Sequence, residues 1–125
     1  MNKVIINIWN REFELEVSYD CFDDEELLQT QKDAVAELVK HRNCIVESES
    51  KVKEYCLCKN AHEIGTGTIN NIFKYVMPQS LFVVRNETKR IVAIMCDYKF
   101  DMEHGLAVVF ENEQFKIIGE QDIIL

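Results

Sequence analysis

Apolar and polar positions divide the chain into three stretches of different period. Val4 to Trp9 and Glu12 to Tyr19 predict the two arms of a hairpin turning near Asn10-Arg11. In the second arm Phe13, Leu15, Val17 and Tyr19 alternate with Glu12, Glu14, Glu16 and Ser18. A period of two buries one face of a strand, so this arm carries a carboxylate row on its outer face. The middle stretch changes to helical spacing at Leu27, Leu28, Gln31, Ala34, Val35, Leu38 and Val39. Asp23 as N-cap and Glu26 three residues on predict a capping box. Acids crowd that first turn, and Lys40, His41 and Arg42 follow where the helix dipole favours positive charge. Val52, Tyr55, Cys56 and Lys59 favour a second helix within residues 47–62, although Val52, Glu54, Cys56 and Cys58 also alternate as a strand would. Gly65-Thr66-Gly67-Thr68 then breaks the pattern.

The last stretch reads as a meander. Leu81 to Arg85 and Arg90 to Tyr98 flank a turn at Asn86-Glu87-Thr88-Lys89; Leu106 to Phe110 and Phe115 to Ile118 flank another at Glu111-Asn112-Glu113-Gln114. Successive strands this close in sequence pair as antiparallel neighbours. The order β-β-α-α-β-β-β-β predicts an α+β fold, an antiparallel sheet of about six strands with two helices on one face. Both an open sheet and a barrel fit that order, and open edges would leave dimerisation by edge pairing available.

Composition narrows the class. The 125 residues suit one domain, with 47% hydrophobic and 29% charged residues, one proline and four glycines, so no linker interrupts it. Five cysteines, an odd number with no secretion signal ahead of them, read as reduced thiols in the cytoplasm. No apolar run approaches the ~20 residues of a membrane span. The net charge is -8, and eight acids with no base lie between Glu12 and Glu26. Such a field repels nucleic acid and anionic lipid and speeds encounter with a basic protein. Glu14, Glu16, Asp23 and Glu26 are therefore the expected partner-binding residues, with a solvated face kept charged for solubility as the plain alternative.

Side chains capable of chemistry concentrate between Cys96 and Leu106. Asp97, Asp101, Glu103 and His104 could ligate a cation or exchange protons, and Asp122 could join them if the C-terminus folds back. The spacing is not that of a calcium EF-hand, because Met102 stands where that loop needs glycine. His41 and His62 are too distant in sequence for a paired-histidine motif. As a plain hairpin loop, Asp101 would bond nearby backbone amides and Gly105 would take the positive φ of the turn. Cys56-Leu57-Cys58 lacks a second cysteine pair, with only Cys44, His41 and His62 within reach, so buried apolar thiols are favoured over zinc. Phosphate-binding loops, dinucleotide fingerprints and a nucleophile elbow are absent from the sequence. No catalytic set, metal or cofactor is expected.

The segment Phe100-Asp101-Met102-Glu103-His104-Gly105-Leu106, followed by a hairpin and Gly119-Glu120-Gln121-Asp122, resembles the C-terminal signature of small uncharacterised bacterial domains of unknown function. Phe100 stands where tryptophan is commoner in them. The resemblance implies that Asp101, Glu103, His104, Gly105 and Asp122 matter, and some of those domains look like products encoded near polymorphic toxin systems. The leading expectation is a non-enzymatic binding module of immunity or accessory type with a basic protein partner. The alternative is a metal-dependent hydrolase or small-ligand binder built on the Asp97–His104 loop.

Overall fold

Strands β1 (Lys3–Ile8) and β2 (Arg11–Tyr19) pair antiparallel around a tight turn in which Trp9 and Asn10 have φ of 51° and 68°. Positive φ at both positions matches the right-handed twist of the flanking strands. Asn tolerates that conformation; Trp9 is held in it by burial, its indole N–H donating to Ser48 Oγ at 3.0 Å and its ring packing on Phe73. The alternation in β2 is met: Leu15 is buried, Phe13, Val17 and Tyr19 pack against the core, and Glu12, Glu14 and Glu16 are exposed. The computed structural model describes residues 2–124 and places four further strands beside these, β3 (Val76–Val84), β4 (Ile91–Tyr98), β5 (Leu106–Glu111) and β6 (Gln114–Gly119). The sheet is open, in the order β1-β2-β3-β4-β5-β6, with β1 and β6 at its edges.

Helix α1 (Gln29–Lys40) lies against β3 and β4, and α2 (Asn43–Ile64) against β5 and β6. Ala34, Leu38, Ile45, Val52 and Cys56 pack on Leu81, Val83, Ile94, Cys96, Val108 and Phe110 of the sheet in one core. The helical reading of residues 47–62 therefore holds and the strand alternative does not. Val52 and Cys56, four residues apart, share the buried face while Cys58 is exposed. Gly65 ends α2 in the left-handed region at φ 77°, its N–H bonded to the Ala61 carbonyl.

Three expectations need correction. Helix α1 starts at Gln29, with Leu28 as its N-cap residue, instead of at an Asp23 cap. Residues 22–25 form a turn closed by Glu25 N–H to Phe22 O (3.0 Å) and Phe22 N–H to Glu25 Oε1 (2.9 Å). Arg85 clamps it, donating to the Glu26 carbonyl at 3.1 Å and pairing with the Glu25 carboxylate at 3.5 Å. The Gln31 side chain then supplies the helix start, accepting from Leu28 N–H at 3.1 Å. Second, β3 begins at Val76, ahead of the expected Leu81, with a register shift between Pro78 and Ser80 where proline has no N–H to give the ladder. Third, β2 and β3 are parallel, whereas every other pair is antiparallel. The chain leaves β2 at the end of the sheet where Asp20 N–H meets Val83 O. The longer helix, α2, then carries it to the opposite end, where Asn60 receives the Tyr98 hydroxyl and Tyr98 faces Val76. From there β3 can only run parallel to β2.

Candidate functional site

With both helices on one side, the other face of the sheet is covered among the described residues by no more than a short terminal turn. Residues directly opposite in paired strands share a face, so this side is built from Glu12, Glu14 and Glu16 on β2, Ser80 and Phe82 on β3, Ile91, Ala93 and Met95 on β4, and Ala107 and Val109 on β5. Ala93, Ala107 and Val109 form a second apolar cluster, separate from the main core and, among the described residues, covered by the partly buried Phe82, Ile91, Met95 and Ile124. Ile124 comes from a terminal 3-10 turn, Gln121–Ile124, that folds back over β4 and β5. Ile117 of β6 and Ile5 of β1 stand on the same side and are 50% and 61% exposed. An apolar centre therefore lies beside a carboxylate row on one continuous surface. Lys3 approaches Glu14 at 3.7 Å, and both side chains stay largely in solvent. Asp23 and Glu26 are exposed in the β2–α1 connection, beyond the end of the strand that carries Glu14 and Glu16.

The second group of polar side chains sits on the turn between β4 and β5. Phe100 anchors that turn, stacked on Tyr75 at 5.5 Å between ring centres and edge-on to Tyr98 at 5.7 Å. Asp101 N–H bonds to Tyr98 O, and Gly105 N–H returns to Asp101 O at 2.9 Å, which closes the loop. Gly105 has φ 62°, as the turn required, and a Cβ there would lie 2.5 Å from Gln121 Nε2 and 2.8 Å from the Cys96 carbonyl oxygen. Gln121 fills that space, donating to Cys96 O at 2.9 Å from its side chain and to His104 O at 3.0 Å from its backbone. These bonds lock the start of the terminal turn onto the β4–β5 turn.

The lock brings Asp101, His104 and Glu120 together. His104 Nδ1 lies 3.0 Å from Asp101 Oδ1 and 3.3 Å from Glu120 Oε2, and Asp101 also accepts from the His104 backbone N–H at 3.2 Å. The Asp101 side-chain hydrogen bond, then the Asp101 and Glu120 charges, raise the imidazole above its ordinary value. Desolvation pushes the Asp101 carboxyl upward, but hydrogen bonds from the His104 ring and backbone outweigh it and leave the group below its ordinary range. Glu103 is exposed at the tip of the turn and acts on the ring only through its charge. Asp97 is half-buried on β4, lining a shallow groove of about 340 Å³ with Tyr75, Met77 and Lys99. Asp122 is exposed on the terminal turn, and the carboxylate that reaches His104 is Glu120. Sequence reasoning missed Glu120, although its signal lies in the strand register. Ala107 faces Gly119, so the residue after Gly119 falls beside the turn before β5.

The remaining candidates separate. Cys56 is buried, with burial pushing its thiol up to about 11, and the fully buried Cys96 is raised further for the same reason. Among the described residues the cysteines are free and none belongs to a cluster of metal-ligating side chains. Among the same residues no helix is long and apolar enough to cross a membrane. No curated protein and no solved structure matches the chain. A family model does match it from residue 1 to residue 125, and the chain belongs to the family described as a domain of unknown function, DUF6985.

Proposed function

We propose that the protein is a non-enzymatic binding module that presents the open face of its sheet to a basic protein partner. The observation that carries this reading is the juxtaposition on that face of the partly buried residues that cover the Ala93–Ala107–Val109 cluster with the Glu12, Glu14 and Glu16 row. A face of this kind supplies both parts of a specific interface. The partly buried Phe82, Ile91 and Met95 that cover the cluster gain by losing their remaining contact with water, and the charged flank steers the approach and sets the orientation. The partner is basic because the flank is a run of carboxylates that continues through the exposed Asp23 and Glu26. A second copy of this chain would bring one acidic row against another, which like-charge repulsion disfavours. The immunity-type or accessory role rests on the acidic charge, with the bacterial setting taken from the resemblance of the C-terminal segment and the cytoplasm from the unpaired cysteines. It agrees with a module that works by occluding a basic surface.

The test begins with capture of partners by the tagged protein at low and moderate salt, followed by association kinetics with the purified prey. Reversing Glu12, Glu14 and Glu16 to lysine is expected to slow association and flatten its salt dependence. Met95→Asp is expected to speed dissociation. Reversing Asp23 and Glu26 is expected to slow association by less, since they stand off the sheet face. A partner whose kinetics ignore both the glutamate reversal and Met95→Asp would remove the open face from the argument.

A further inference from the structure

We infer that Asp101, His104 and Glu120 form a binding site for one divalent transition-metal ion at the junction of the β4–β5 turn and the C-terminal 3-10 turn. The three ligand atoms lie within 4.8 Å of one another and come from two segments that the fold brings together. Ligand-to-metal bonds of about 2.0–2.2 Å place neighbouring ligand atoms about 3.0 Å apart at right angles and about 3.4 Å apart in a tetrahedron. The spacings here, 3.0 Å from Nδ1 to Asp101 and 3.3 Å from Nδ1 to Glu120, are edges of that size. An ion can therefore replace the shared proton with side-chain adjustment alone.

Charge points the same way. Two carboxylates face a single imidazole, so the group stays negative even with the ring protonated, and Glu103 adds to that field. Among the ion pairs of the described residues no lysine or arginine joins this group. A dication would complete the neutralisation that a proton leaves unfinished. One nitrogen and two oxygens, without sulfur, suit ions of the zinc, manganese or cobalt kind, and the imidazole disfavours calcium and magnesium. The His104 side chain is 49% exposed, so water can complete the coordination sphere and the ion can exchange with solution. Preorganisation comes from the two turns. Gly105 and the two Gln121 bonds fix the spacing between the segments before any ion arrives. Such a site would staple the terminal turn to the β4–β5 turn.

The experiment uses the full chain freed of metal by chelator and then freed of chelator. Titration with Mn²⁺ followed by amide NMR is expected to broaden resonances at residues 101–105 and 119–121 first. Calorimetry with Zn²⁺ is expected to give one ion per chain. His104→Ala and Glu120→Gln should each weaken binding by about 10-fold or more, at least the effect of losing an outer-sphere partner. Cys58→Ser and His62→Ala should leave it unchanged. Glu120→Gln is the conservative variant if His104→Ala unfolds, with circular dichroism to show which holds. Broadening centred on Glu12–Glu16, saturation well short of one ion per chain, or wild-type affinity in a folded Glu120→Gln protein would overturn the inference. The three residues would then be an ion-pair triad that fastens the turn.

Discussion

The two faces of this sheet are made from the same strands and differ in what covers them. Beneath the helices, Leu81, Val83, Ile94, Leu106, Val108 and Phe110 are buried with Leu38, Ile45 and Val52, and the few polar groups there are bonded, as Ser48 is to Trp9 and to the Ile45 carbonyl. On the other side a smaller apolar cluster is closed by the half-buried Phe82, Ile91, Met95 and Ile124 and bordered by charges. A buried face is held by packing, so each lost methylene is felt. The other face buries fewer and smaller side chains, and those that cover them stay partly in solvent. The contrast separates the residues that hold the helices to the sheet from those on which the proposed interface rests.

The sharpest way to break this comparison is thiol chemistry. Cys56 and Cys96 lie fully buried under the helices, and Cys58 is exposed two residues along α2. Raising the Cys56 thiol from 9.0 to about 11 lowers its thiolate fraction near neutrality by about 100-fold, before any steric exclusion. Alkylation of the native protein followed by mass spectrometry should mark Cys58 and leave Cys56 and Cys96 untouched until denaturant is added. Early labelling of Cys56 would mean that α2 lifts from the sheet. Next come paired truncations. Leu38→Ala, at a side chain with only 1% exposure, should cost about 2–5 kcal/mol in chemical denaturation. Ile117→Ser, half exposed on the open face, should stay within about 0.5 kcal/mol. Equal costs would erase the distinction between the faces.

A smaller effect belongs to the glycines. Gly105→Ala places a methyl group against the Cys96 carbonyl and the Gln121 side chain at positive φ, and should cost about 1–3 kcal/mol or more. Gly65→Ala meets no atom within 4 Å and carries only the strain of φ 77°, so it should cost about 1 kcal/mol. Thermal and urea melts of the two variants order them. An unaltered Gly105→Ala protein would show that the lock between the turns yields cheaply.

Local signals carried much of this fold and long-range ones did not. The alternation in β2, the face shared by Val52 and Cys56, and the positive φ of Gly105 were legible because each depends on a few neighbouring residues. The direction of β3 was not, because it depends on how far α2 travels along the sheet before the chain turns. The start of α1 was misread because an arginine 59 residues away, Arg85, holds the Glu26 carbonyl and draws the acidic stretch into a turn. Trp9 at positive φ was likewise invisible, since Ser48 and Phe73 hold it there. Within the candidate cluster Asp101 and His104 are three residues apart and could be paired on sight. Glu120 required the register of β5 against β6.

The smallest predicted effect concerns the rim of the open face. Glu111, on the same side as Val109, accepts from Lys89 at 3.0 Å, and that hydrogen bond holds its carboxyl below the ordinary 4.5. A carboxyl lowered by folding stabilises the native state above its unfolded value and loses that contribution as pH falls through the lowered one. Wild type should therefore melt slightly above Lys89→Met from about pH 5 to neutrality, with the gap closing toward pH 3. Because both groups meet solvent, salt should shrink the gap as well. A gap that persists in acid would mean that the lysine stem matters more than its charge. A gap that closes would show that Lys89 and Glu111 act through their charges, and the extent to which salt shrinks it would show how little so exposed a pair lends the fold.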